Sequence, residues 1–176
     1  GNFITITYLN NQGPNIQTLT DALGRVIYFY YDWQGLLTSI AVPNHQGGGY
    51  HAAVRLQYQW LTLSNAGANY GFAPWLTTRV RQNVIPVVRA IYYPGTNTGY
   101  WFGDDSYSPY GMLCKVSERR NMTFDDAPWD QQGNIGAGVM SHEKVYNYPL
   151  TGGSYADMPS YTQMVEDWAG RTTDAA

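Results

Sequence analysis

Four short segments near the start of the chain share one pattern: Asn10-Asn11-Gln12-Gly13, Asp21-Ala22-Leu23-Gly24, Asp32-Trp33-Gln34-Gly35 and Asn44-His45-Gln46-Gly47. Each is an Asp or Asn, two variable residues and a Gly, and the starts lie 11, 11 and 12 residues apart. The pattern is turn chemistry. The first side chain accepts hydrogen bonds from backbone N–H groups a few residues on, and the Gly tolerates the positive φ at which the chain bends back. About seven residues separate successive turns, one ordinary strand length. The intervening segments, Phe3–Leu9, Asn15–Leu19, Arg25–Tyr31 and Leu36–Val42, are rich in β-branched and aromatic side chains, which favour strands. A short turn joins only antiparallel neighbours. The N-terminal quarter is therefore expected to be a meander of antiparallel hairpins with a period of 22 residues, two strands per unit.

Composition extends this expectation to the whole chain. Its 176 residues are one domain's worth of material. Charged residues make up 13%, about half of the roughly 25% usual in soluble domains, while aromatics reach 15%, including 16 Tyr and 6 Trp. So many rings exclude a disordered chain, and so few Glu, Lys and Arg exclude a coiled coil. The net charge of −3 argues against a nucleic-acid partner, which needs a basic face. Residues 1–103 carry +3 and residues 104–176 carry −6, so similar chains could meet head to tail, or the acidic part could be a solvated face. Cys114 is alone, so no disulfide forms within the chain. No stretch is long and apolar enough to span a membrane as a helix and none reads as a signal peptide. Both ends read as cuts through a longer protein.

Thr20-Asp21-Ala22-Leu23-Gly24-Arg25-Val26, followed by Tyr30-Tyr31-Asp32-Trp33-Gln34-Gly35-Leu36-Leu37, resembles a YD repeat, also called an RHS repeat. The family pattern is Gly-Arg, an aromatic strand, Tyr-Asp, two free residues, Gly, a residue that is commonly Arg, and Leu; here Leu36 stands at the Arg position. Leu9-Asn10 replaces Tyr-Asp in a degenerate earlier copy, and Glu166-Asp167-Trp168-Ala169-Gly170-Arg171 begins another. The resemblance covers residues 15–43 firmly and both ends weakly. It implies a long antiparallel sheet that curves or spirals into a shell or scaffold, with non-catalytic repeats, in a bacterial secreted or cell-surface protein. The repeat positions it marks are Asn10, Gly13, Asp21, Gly24, Tyr31, Asp32, Gly35, Asn44, Gly47, Asp167 and Gly170. The self-cleaving core segment of some members has no counterpart here.

Residues 1–49 thus read as repeat hairpins, 50–160 as a strand-rich continuation or insertion of the same sheet, and 161–176 as the start of a further repeat, all one continuous β domain. His51–Leu63 alternates, with Val54, Leu56, Tyr58 and Trp60 on the apolar face and Arg55, Gln57 and Gln59 on the other, as in a half-buried strand. Strands are also expected at Thr77–Val84, at Val84–Tyr93 with Pro86 marking an edge or a bulge, at Met112–Ser117 and at Val139–Tyr148. Ser160–Trp168 fits a short helix by periodicity and a strand by the repeat. Gly47–Gly49, Pro94–Gly99 and Asp125–Gly138 read as polar loops. Tyr28 and Tyr30 share a face, and rings of successive repeats are expected to stack across strands.

No catalytic motif stands out. His142-Glu143 lacks a second His at zinc-protease spacing, the histidines at 45, 51 and 142 are scattered, and no metal or other cofactor is expected. Acids beside aromatic rings occur at Tyr100, Trp101, Asp104 and Asp105 and at Asp125, Asp126 and Trp129. Such pairs bind sugars by stacking and carboxylate hydrogen bonds, and suitably separated acids hydrolyse glycosidic bonds. The bland alternative is ring packing and turn capping. The reading is a structural, non-enzymatic segment that pairs with neighbouring repeats or with other copies of itself by edge-strand addition, in a shell or filament outside the cell. The runner-up is a carbohydrate-binding module, and the third a glycoside hydrolase.

Overall fold

A computed structural model of the chain describes residues 2–11, 13–45, 48–62, 84–108, 111–148, 163–168 and 172–175. The fold is all-β. The strands are β1 (Thr5–Tyr8), β2 (Ile16–Thr20), β3 (Val26–Tyr31), β4 (Leu37–Pro43), β5 (Tyr50–Thr62), β6 (Val84–Tyr93), β7 (Thr98–Trp101), β8 (Lys115–Arg120), β9 (Thr123–Phe124), β10 (Ile135–Gly136), β11 (Val139–Asn147), β12 (Gln163–Asp167) and β13 (Thr172–Ala175). Eleven form one sheet in the order β1-β2-β3-β4-β5-β6-β7-β8-β11-β12-β13, and β9 pairs with β10. The sequential order follows from the short turns, which return the chain beside the strand it has just left. Among the described residues, no helix is long and apolar enough to cross a membrane.

Ser160–Trp168 resolves in favour of the strand: β12 pairs with β11 and with β13, the last contact running Asp167 to Thr172. The strand expected at residues 77–84 falls outside the described residues, apart from Val84. Pro86 is the third residue of β6, which lies between β5 and β7 in the sheet, so its strand is not an edge. Near a strand end the missing N–H removes little of the ladder.

The chain divides into two compact units. One comprises residues 1–57, 90–99 and 121–138, the other residues 58–89, 100–120 and 139–176. Each is assembled from distant segments, so no linker in the sequence marks the division, and it does not coincide with boundaries at 49/50 or 160/161.

The first unit is built on β1–β4 and the start of β5. Opposite Tyr28 and Tyr30 of β3 stand the small residues Ala41 and Ser39 of β4, and Ala41 and Ser39 have no exposed surface. The shallow floor they make is filled by the segment between β9 and β10. The Trp129 carbonyl oxygen lies 2.6 Å from both Thr38 Oγ1 and Ser39 Oγ, whose hydroxyls donate to it. The Trp129 ring lies 5.4 Å from that of Tyr30. Ile135, almost fully buried, donates its N–H to Gln57 Oε1. Behind it, Tyr92 stacks on Phe124 at 6.2 Å and donates its hydroxyl proton to Asn97 Oδ1 at 2.6 Å. Gly99 lies so close to the Ile91 carbonyl and to Met122 that no Cβ would fit.

Two sequence expectations are corrected here. Arg55, on the polar side of the alternation, is only 6% exposed, whereas Trp60 on the apolar side is 56% exposed. A buried guanidinium is costly unless its N–H groups are met, and they are. Nη1 donates to Pro128 O at 3.1 Å and Nη2 to Ala127 O at 3.2 Å, with the cation 4.7 Å from the centre of the Phe124 ring and 5.2 Å from that of Trp129. Desolvation lowers its pKa, opposed by the carboxylate of Asp126. The tyrosine rings, in turn, do not stack repeat on repeat. Tyr28 meets Tyr50 of β5 edge-on at 5.0 Å and Tyr30 meets Trp129, because β4 offers only small side chains between them.

Replacing Arg55 by Ala leaves two inward carbonyls without donors and removes the cation from two rings. The expected loss is about 3 kcal/mol, read as a lower midpoint in urea unfolding. Arg55→Lys, which cannot reach both carbonyls as a planar fork, should recover only part of it.

Candidate functional site

The repeat turns are the best-defined local geometry in the first unit. Asp21 Oδ1 accepts from Leu23 N at 2.9 Å and Arg25 N at 3.0 Å, while Asp21 N donates to Arg25 O and Gly24 N to Asp21 O. Eleven residues on, Asp32 Oδ1 accepts from Gln34 N and Leu36 N, both at 2.9 Å, while Asp32 N donates to Leu36 O and Gly35 N to Asp32 O. Gly24 has φ +76° and Gly35 +79°, a region that costs a side chain dearly. The variable positions point outward: Leu23 is 80% and Trp33 91% exposed.

Only the second carboxylate oxygen is treated differently. Asp21 Oδ2 accepts from Arg25 Nε and Nη2, each at 2.6 Å, and the Arg25 backbone N–H followed by its side chain holds the Asp21 pKa below the usual value. At the next turn Leu36 stands where Arg25 stood, and Asp32 Oδ2 accepts instead from Gln132 Nε2 at 2.7 Å. Tyr31, preceding Asp32, donates its hydroxyl proton to Ile16 O at 2.8 Å, and desolvation raises its pKa.

The outer members of the series depart from this form. Asn10 itself adopts φ +57°, with Gly13 at +97°. Asn44 donates through Nδ2 to Gly48 O at 3.1 Å and pairs through Oδ1 with His51 Nδ1 at 2.8 Å, and the left-handed residues there are Gly48 and Gly49. Gly47 and Gly170 lie outside the described residues. Asp167 ends β12.

The aromatic–acid candidates are engaged by neighbours rather than gathered round a cleft. In the second unit the Arg89 guanidinium lies 5.4 Å from the centre of the Trp101 ring and 3.9 Å from Asp104 Oδ1. Lys115 Nζ pairs with Asp105 Oδ2, and this partner holds the Asp105 carboxyl below its usual range. A general acid for glycoside cleavage needs the opposite shift. Tyr100 is half-buried. Trp129, in the first unit, is the loop residue already described against Tyr30 and Arg55. Cys114 is half-buried and desolvation raises its thiol pKa. Among the described residues no group of three or more His, Cys, Asp or Glu could hold a metal ion.

Sequence reasoning missed the receiving side of the Trp129 loop: Thr38, Ser39, Arg55, Gln57 and Gln132. The available signal was the run of small residues, Thr38, Ser39 and Ala41, on a strand otherwise made of Leu, Ile and Val. Compared with protein-family models and with curated proteins, the chain matches none.

Ala at Gly35 should destabilise by about 1 kcal/mol or more, and Ala at Asp32 by about 1–2 kcal/mol, since two N–H donors lose a charged acceptor. Both follow from denaturant midpoints. For Asp105 the lowered pKa means that its ion pair stabilises the fold at neutral pH and is lost as the pH falls through that lowered value. A carboxyl NMR titration of Lys115→Met should show Asp105 protonating at a higher pH than in the unmodified chain.

Proposed function

We propose that the chain is a non-catalytic structural segment of a bacterial secreted or cell-surface YD/RHS-repeat protein, serving as scaffold, shell or fibre. The observation that carries this reading is the pair of turns at Asp21 and Asp32, which make the same four hydrogen bonds 11 residues apart. Identical turns at a fixed interval are what a scaffold of stacked hairpins requires, because each must return the chain in the same register. The Tyr-Asp pair supports it too, with the Tyr31 hydroxyl on the β2 backbone and the Asp32 carboxylate in the turn. The engaged state of Trp101, Asp104 and Asp105 fits a packing role for those residues.

A repeat scaffold accepts another unit. A second copy of residues 15–36 fused ahead of Ile4 supplies two strands and a closing turn beside β1. The fusion should gain strand signal in circular dichroism and acquire slow amide exchange in the added strands. An added copy that exchanges freely, or specific binding of the unmodified chain to a defined sugar that Trp101→Ala abolishes, would overturn the structural reading.

A further inference from the structure

The first strand of the sheet is open in three respects at once. β1 pairs on one side only, with β2, and is the terminal strand in the sheet order. Every residue from Thr5 to Tyr8 is exposed. From Asn2 to Thr20 there is no charged side chain, and the one proline, Pro14, lies in the turn between β1 and β2. Natural edges are usually guarded by charge, proline, a bulge or a covering segment. β1 has only the register shift between Thr7 and Tyr8, at its far end.

The faces of the strand differ. On one side Thr5 and Thr7 lie opposite Thr20 and Thr18, with Thr7 Oγ1 and Thr18 Oγ1 hydrogen-bonded at 2.6 Å. On the other, Ile6 lies opposite Leu19, which lies opposite Ile27. Ile4, 69% exposed, borders a groove of about 610 Å³ lined by Leu19, Ile27, Val42 and Pro43, with Asp21 and Arg25 at its rim. The groove lies beside the unpaired edge.

The geometry points to a second copy of this chain as the partner of this edge, joined β1 to β1 in antiparallel pairing about a two-fold axis normal to the sheet. A strand added here must put apolar side chains on the Ile4 and Ile6 face and small hydroxyls on the Thr5 and Thr7 face, and Ile4-Thr5-Ile6-Thr7 itself carries that alternation. In an antiparallel pair with Ile opposite Ile, Thr falls opposite Thr, and the grooves of the two copies run together on one face. Charge selects the same partner over the opposite end of the sheet. β13 includes Asp174, and its neighbour β12 includes Glu166 and Asp167, so head-to-tail addition would set a carboxylate-bearing strand against a neutral one with no cation to answer it. An isologous contact closes on itself and stops at two chains.

This pairing deepens the scaffold reading by naming its partner, and rests on that reading. Sedimentation of the unmodified chain should show a concentration-dependent monomer–dimer equilibrium and nothing larger. Ile6→Lys, on an exposed position, should abolish the dimer while leaving the circular dichroism unchanged. The fusion carrying a second copy of residues 15–36, whose added strands cover β1, should also lose it. A monomer at all concentrations, an open-ended series of oligomers, or a dimer indifferent to both changes would overturn the pairing. A monomeric parent whose fusion still extends the sheet would sink the dimer alone. A dimer that Ile6→Lys dissolves, with the fused copy unpaired, would uphold the contact and sink the repeat scaffold.

Discussion

One carboxylate oxygen receiving two backbone N–H groups is the interaction on which the N-terminal sheet depends. It fixes the chain direction at Asp21 and again at Asp32, and the glycine at positive φ completes each reversal. With reversal and interval both set, β2, β3 and β4 must lie side by side and antiparallel, and the side chains of each are committed to one face or the other. The faces then acquire distinct roles without further instruction. One carries Tyr28, Tyr30, Ala41 and Ser39 and receives a loop. The other carries Ile6, Leu19 and Ile27 and borders a groove.

The received loop shows how a β-sheet with few large buried residues can be well held. Thr38 and Ser39 send two hydroxyls to one carbonyl oxygen, Arg55 sends two N–H groups to the carbonyls just before it, and Gln132 returns to the Asp32 turn. These contacts satisfy backbone groups that a packed loop would otherwise bury without partners. They also account for the composition. Asn, Gln, Ser and Thr can saturate carbonyls inside a fold at less desolvation cost than ionised groups, which suits a chain with so few charges. The single buried arginine is accepted because planar donors, carbonyls and aromatic faces meet it from several sides.

How much of this was legible in the sequence follows from the range of the interactions. Strands β2 to β4, the left-handed glycines and the capture of N–H groups by Asp21 and Asp32 are local, and the spacing of Asp and Gly displayed them. The burial of Arg55 was not legible, because the carbonyls that justify it come from Ala127 and Pro128, and alternation along β5 says only that its neighbours lie on the opposite face. Tyr28 and Tyr30 were assigned to one face correctly, yet their partners depended on the smallness of Ala41 and Ser39, which periodicity weighs no differently from any other residue. Leu36 in place of an arginine looked like a blemish in the repeat. It becomes intelligible once Gln132 is seen on Asp32 Oδ2, the very atom that Arg25 serves one turn earlier. The acids at 104 and 105 looked like a site because sequence shows proximity to Trp101 but not the intervening Arg89 and Lys115.

The seat for Trp129 also imposes an order on synthesis. The bonds from Thr38 and Ser39 to the Trp129 carbonyl span 91 and 90 positions, and those from Arg55 span 73 and 72. When the early hairpins leave the ribosome, their small-residue floor and the arginine beside it have no cover until the segment beyond Phe124 emerges. Contacts of such separation close late and slow folding. During that interval the nascent sheet presents hydroxyls and a guanidinium to water, groups that tolerate the wait without the aggregation that a bare floor of leucines would invite.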